Sequence, residues 1–182
     1  LVDSESCPDV LPPLRPRSII ASVLSSTVHT LYLLSFPTRR SSDLLTTFSA
    51  LIIKSNTLHA FHVGDSRIWH FHNQQLEQLT TDHNRTEGGK NYLSRALGAD
   101  RHLEVDYSQQ ELIVGDLLML STDGVHEFLS ASELKSLLTS AATDDLETVA
   151  RTIVEHALAK GSDDNLTVLL VGIDHLPTET LE

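Results

Sequence analysis

Gly115-Asp116-Leu117-Leu118-Met119-Leu120-Ser121-Thr122-Asp123-Gly124 reads as a turn, a strand and a second turn. Gly115-Asp116 turns the chain into an apolar run from Leu117 to Thr122, and Asp123 stands where that run stops. This stretch divides the chain. Upstream the patterns are those of strands: Thr47 to Lys54 is β-rich and largely apolar, as a strand covered on both faces would be. Thr57 to Val63, Ile68 to His72, Gln75 to Thr80 and Leu103 to Tyr107 follow as further strands. Lys54-Ser55-Asn56 and Asn73-Gln74 supply turns between them.

Downstream the period changes. Ser130-Ala131-Ser132-Glu133 has the spacing of a capping box and predicts a helix through about residue 140. Asp144 or Asp145 can cap a second helix, whose apolar residues Leu146, Val149, Ala150, Ile153, Val154, Ala157 and Leu158 recur at helical spacing. Gly161 falls just past its end, where a left-handed terminator is expected. Leu166 to Ile173 closes the pattern as a long apolar strand. Strands grouped early and helices late predict an α+β fold, with helices packed on a largely antiparallel sheet.

The 182 residues suffice for one ordinary domain. Lys plus Arg number 13 against 25 for Asp plus Glu, a net charge of −12 that disfavours nucleic acid and anionic lipid as partners. Cys7 is the only cysteine, which excludes an internal disulfide and a thiolate-ligated zinc site. The abundant carboxylates suit hard cations.

Three aspartates occupy turns at strand ends: Asp65 in Val63-Gly64-Asp65-Ser66-Arg67, Asp123 in the quoted stretch, and Asp164 in Gly161-Ser162-Asp163-Asp164-Asn165. Each alone is ordinary turn chemistry. Together they can converge, and convergent carboxylates repel one another unless a cation holds them. Gly64-Asp65-Ser66-Arg67, Leu76-Glu77-Gln78-Leu79-Thr80-Thr81-Asp82-His83, Tyr92-Leu93-Ser94-Arg95-Ala96-Leu97-Gly98, Gly115-Asp116, Ser121-Thr122-Asp123-Gly124 and Asp164-Asn165-Leu166-Thr167-Val168 form an ordered series. From about Thr46 to Ile173 that series resembles the metal-dependent PPM-type (type 2C) serine/threonine protein phosphatases.

The resemblance implies a β-sandwich of two antiparallel sheets flanked by helices, and two magnesium or manganese ions at the intact site. Asp123 and Asp164 match the family's two C-terminal metal ligands, and Asp65 matches an aspartate tied in some members to a third, weaker metal. Gly64, Gly124 and Asn165 match residues that support those turns. Phosphoprotein substrates, a cognate Ser/Thr kinase and a cytoplasmic location follow from the same resemblance, with neither nucleic acid nor membrane as a partner. The short segment from His83 to Leu93 implies a reduced flap, as in bacterial chains that join a phosphatase to a C-terminal kinase. No G-x-S-x-G elbow surrounds Ser66, so it is not a nucleophile candidate. No other catalytic side chain is assigned.

Departures from the family pattern bear on activity. The family's N-terminal motifs, including an Asp-Gly-x-Gly-Gly stretch, are absent from the sequence. They supply the aspartate that bridges both metals, a backbone carbonyl ligand and a phosphate-binding arginine. Leu45-Thr46-Thr47 stands in the place of the family's Gly-Thr-Thr. Immediately before it, Ser35 to Leu44 resembles the in-frame translation of a sequencing adapter. Residues 1–44 are therefore expected to be foreign and to stay off the fold. Pro8, Pro12, Pro13 and Pro16 disfavour regular structure in the first part. Ile19 to Leu34 imitates a signal segment, diluted by serine, threonine and histidine. Residues 45–176 read as the C-terminal portion of a phosphatase domain that is incomplete at its N-terminus, and 177–182 as a tail. A defective phosphatase is the main expectation; a non-catalytic pseudophosphatase or regulatory binding module is the alternative.

Ten histidines invite a metal reading. His59 and His62 fall on opposite faces of a strand, and His70 and His72 share a face but make only half a site. Surface or strand-face positions are expected for them. Trp69 is expected to pack in the sheet.

Overall fold

The computed structural model describes residues 19–24, 30–40, 43–87, 90–99, 102–142 and 145–176. Cys7, the four early prolines, Asp144 and the 177–182 tail lie outside them. The elements in chain order are β1 (Ile19–Leu24), β2 (Thr30–Arg40), β3 (Asp43–Lys54), β4 (Thr57–Val63), β5 (Arg67–His72), β6 (Gln75–Gln78), β7 (Asn84–Glu87) and β8 (Lys90–Leu93). They continue with β9 (Asp106–Glu111), β10 (Leu117–Ser121), α1 (Asp123–His126), α2 (Ala131–Thr139), a 3-10 turn (Ser140–Ala142), α3 (Leu146–Ala159) and β11 (Val168–Ile173).

A five-stranded sheet runs β1-β11-β10-β5-β6 and a four-stranded sheet runs β2-β3-β4-β9, while β7 and β8 form a separate hairpin. All strand pairs are antiparallel except β1 with β11. Strand alternation sorts the side chains into two cores. Trp69, Met119, Val168 and Leu170 face Leu134, Leu138, Ile153 and Ala157 of the helices. Ile68, Leu118, Leu120, Leu169 and Val171 face Leu51, Leu58 and Ala60 of the other sheet. The five-stranded sheet is thus the middle layer of an α+β sandwich, buried on both faces, which explains the continuous apolar runs in β10 and β11.

Local signals produce local structure as expected. Ser130 accepts from the Glu133 N–H while the Glu133 carboxylate accepts from the Ser130 N–H, so the capping box at α2 is complete. Asp145 caps α3 through the Thr148 N–H, and Gly161 follows with φ +92°. Asn73 and Gln74 both have positive φ, the two-residue turn that matches the strand twist between β5 and β6.

Two expectations change. The strand read at Leu103 to Tyr107 lies instead at Asp106–Glu111. Among the described residues it is an edge strand, bonded to β4 alone, and needs no apolar pattern; Leu103 and Val105, which suggested a strand, are exposed. Second, two described stretches before Leu45, residues 19–24 and 30–40, pair with strands of the sheets. The β1 backbone pairs with β11 from Ile19↔Val168 to Leu24↔Ile173, and β2 pairs with β3 from Thr30↔Ile53 to Arg40↔Asp43. The physical reason is that β11 and β3 would otherwise present open rows of N–H and C=O groups, which an extended segment of almost any sequence can satisfy.

Candidate metal centre

Asp123 is the first residue of α1, at the C-terminal end of β10, and Asp164 sits in the loop entering β11. Side-chain and backbone bonds fasten these two loops together. Thr122 Oγ1 donates to the Asn165 carbonyl at 2.9 Å and accepts from the Thr167 N–H at 3.0 Å. Ser162 Oγ donates to the Gly124 carbonyl at 2.8 Å. Gly124 has no room for a side chain: a Cβ there would lie 2.7 Å from the Asn165 carbonyl oxygen and 3.3 Å from Asp164 Cβ. Each aspartate is steered by the next residue's N–H, Gly124 to Asp123 Oδ1 at 2.9 Å and Asn165 to Asp164 Oδ1 at 2.6 Å.

Asp65 arrives from the turn between β4 and β5. Gly64 holds φ +120° with its α-carbon against Thr47. His83 clamps this residue from both sides. Its Nδ1 accepts the Gly64 N–H at 3.0 Å, and its own N–H donates to the Gly64 carbonyl at 2.7 Å. With Nδ1 accepting, Nε2 carries the proton and donates to Asp106 Oδ2 at 2.9 Å, while Arg95 holds the other Asp106 oxygen at 2.8 Å. His62 Nε2 also donates to the Gly64 carbonyl at 3.0 Å, with Nδ1 accepting from Ser49 at 2.9 Å. A second brace runs from the Trp69 indole to Ser121 Oγ and on to His126 Nδ1, both at 3.0 Å.

The electrostatics show that these carboxylates share one region. Burial pushes Asp65 up to about 6, and the Asp123 charge adds to the rise. Burial also raises Asp123, with Asp164 contributing. Glu127, on the turn after α1, is raised by burial and then by Asp123 and Asp164. The cation within reach, Arg67, is committed elsewhere: it grips Asp82 with Nε at 2.9 Å and a terminal nitrogen at 2.7 Å. Among the described residues, no three oxygens of this group lie within 4.8 Å of one another. The donor set is all oxygen and mutually repulsive, which fits a hard, hydrated dication such as magnesium or manganese.

Asp65 lies near enough to Asp123, and Asp123 to Asp164, for their charges to interact, with Gly64, Gly124 and Asn165 in the adjoining turns. Sequence reading missed Glu127, one turn along from Asp123, and the histidines. His62 and His70 lie on strands β4 and β5, as expected, but they are buried, as are His83 and His126, because each has a hydrogen-bond partner inside. Ser66 is buried against Thr47 Oγ1 at 3.1 Å, remote from any nucleophilic role. The segment after His83 forms the short β7–β8 hairpin.

Comparison with known proteins follows the same outline. A serine/threonine phosphatase of Listeria monocytogenes is 34% identical over 145 residues, covering 71% of this chain and 57% of that protein. Protein phosphatase PhpP of Streptococcus pneumoniae is 29% identical over 150 residues, covering 74% of this chain. The catalytic domain of the phosphatase PstP, solved in complex with two manganese ions, superposes with a TM-score of 0.61 at 27% identity, covering 70% of this chain and 57% of that one. The chain spans about 60% of the length of PhpP. Among the described residues, no helix is long and apolar enough to cross a membrane. The match to Protein phosphatase 2C over residues 18–168 agrees with the sandwich and with the paired Asp123 and Asp164 loops, and the chain belongs to that family.

Proposed function

We propose that residues 45–176 are the C-terminal portion of a phosphatase domain that hydrolyses phosphoserine and phosphothreonine in proteins, and that residues 1–182 alone are catalytically defective. The observation that carries the first half is the cross-fastening of the Asp123 and Asp164 loops beside Asp65, a carboxylate cluster whose neighbouring cation Arg67 is paired with Asp82. Asp123 and Asp164 would hold magnesium or manganese, and Asp65 a further ion. Such a metal, when bound, neutralises charge on the phosphoryl oxygens and lowers the pKa of water. The Gly124 and Asn165 N–H groups each fix one oxygen of a ligand carboxylate. The bonds from His83 and His62 to Gly64 hold the Asp65 turn in place.

The second half rests on what the site lacks. The 182-residue sequence holds no Asp-Gly-x-Gly-Gly stretch to supply a bridging carboxylate, and Arg67 is already paired. Two carboxylates alone hold a hard cation loosely and with most of its water. An attacking water is then poorly oriented, and orientation supplies a large share of the rate. The same deficit favours a non-catalytic binding module as the second reading. Phosphoproteins are the substrates on the first reading, a Ser/Thr kinase is the opposing partner, and the cytoplasm is the compartment.

The test compares residues 1–182 with a version carrying a family-type N-terminus, assayed on a phosphothreonine peptide with manganese. The unrepaired chain should be inactive, the repaired one active, and Asp123→Asn or Asp164→Asn should abolish the regained activity. Turnover by the unrepaired chain that is lost in Asp123→Asn would overturn the reading of the defect; an inactive repaired chain that still binds phosphopeptide would favour the binding module.

A further inference from the structure

The other end of the strands that carry Asp65 and Asp123 holds a different cluster. His70 and His72 are two apart on β5 and face the second sheet. Asp116, in the turn entering β10, comes between them. His70 Nε2 is 2.9 Å from Asp116 Oδ2, and His72 Nδ1 is 2.6 Å from Asp116 Oδ1. One donor atom from each of the three lies within 4.8 Å of the others, and among the described residues no other trio of histidine, cysteine or carboxylate groups gathers so closely. Sequence reading found only the two histidines, because Asp116 is 44 residues from His72.

We propose that His70, His72 and Asp116 form a binding site for a transition-metal dication of the zinc class. Two imidazoles and one carboxylate match the mixed nitrogen and oxygen preference of zinc, whereas magnesium and manganese favour oxygen alone. With metal–ligand bonds of 2.0–2.1 Å, tetrahedral ligand atoms stand ~3.3 Å apart. The two contacts use different oxygens of Asp116, but one ligand atom from each residue already lies within 4.8 Å of the others, so no pair needs to move by more than about 1.5 Å to reach that spacing. The surroundings already hold the ligands. The Ile113 N–H donates to Asp116 Oδ2 at 3.0 Å, and the Asn73 amide stands 2.6 Å from His72 Nε2. With a metal on Nδ1, the Nε2 proton donates to that amide once its oxygen is turned inward, the outer-shell bond that fixes a ligating imidazole.

The fourth position opens onto a cavity of about 460 Å³ whose walls include His70, His72, Glu77, Gln110 and Glu111. Glu77 is the cross-strand partner of His70, so its carboxylate rises on the same face, placed to close the site directly or through a water. The site ties the β5–β6 hairpin to the start of β10. Asp116 and Asp123 are seven positions apart along β10 and its turns, roughly 20 Å at strand rise. It is therefore a separate centre, and it does not depend on the phosphatase reading.

The test uses the full tag-free chain carrying Asp123→Asn and Asp164→Asn, stripped with chelator, so that those carboxylates do not compete. Zinc is titrated against a chromophoric chelator, and cobalt(II) is followed by its visible absorption. One zinc per chain and an intense, tetrahedral-type cobalt band are expected. His72→Gln, at a partly exposed ring, should weaken zinc by more than about tenfold, since even outer-shell changes cost that much, and should abolish the cobalt band. Asp116→Asn should do the same, with folding checked by circular dichroism. The absence of zinc binding, or zinc and cobalt signals unchanged in folded His72→Gln, would overturn the proposal.

Discussion

Gly64→Ala is the most direct probe of how the Asp65 turn is held. An alanine Cβ would lie 2.5 Å from Thr47 Cγ2 and 2.6 Å from Thr47 Cβ, and the backbone at this position has φ +120°. Two costs follow. A side chain in that region of backbone space costs about 1–3 kcal/mol, and forced overlap in a packed site costs about 1–3 kcal/mol more. Thr47 cannot yield freely, because it lies on β3 and its Oγ1 bonds Ser66. Nor can Gly64 swing away without breaking its two bonds to His83. The sum is a loss of about 2–6 kcal/mol. Trp69, the only tryptophan and almost fully buried, reports unfolding by fluorescence in a urea titration. A double-mutant cycle with Thr47→Gly separates the two costs. The overlap share should appear as a coupling energy of about 1–3 kcal/mol, while the backbone share should persist in the Thr47→Gly background. A loss under about 1 kcal/mol, well below the summed costs, or a coupling energy of zero, would refute this account of the turn.

Two further predictions concern stability. Burial, with His83 nearby, lowers His62 from 6.5 to about 4. Below pH 6.5 the unfolded chain therefore takes up a proton that the folded one refuses, and stability falls as pH drops from 6.5 towards 4. The full effect of that one group is about 3 kcal/mol; urea titrations at pH 7 and pH 5 should show a shallower pH slope in His62→Gln, and an unchanged slope would count against it. Ser130→Ala removes the capping hydroxyl of α2 and should cost about 1 kcal/mol, read as a lower urea midpoint at constant slope; no change in midpoint would mean that the cap is idle.

What the sequence determined alone was the set of features whose causes lie within a few residues. Strand β4 runs from Thr57 to Val63 as read, the box at Ser130 and Glu133 opens α2, and the apolar stripe of α3 ends before Gly161. Alternation, helical period and caps are short-range causes, so they survive in a string of letters. The ordered turn motifs also carried the family and the three aspartates.

Tertiary structure alone decided what depends on distant partners. Edge strand β9 has a polar sequence and exists because β4 offers it hydrogen bonds. The Asp123 and Asp164 loops meet because Thr122 bonds Asn165 and Thr167 from more than 40 residues away. His83 looks like any loop histidine until the fold sets it against Gly64 and Asp106. His70 and His72 gain Asp116 only when β5 and β10 pair. Burial is the common reason: a polar group leaves water only where a partner awaits it, and that partner is chosen by strand register and loop closure, not by its neighbours in the chain.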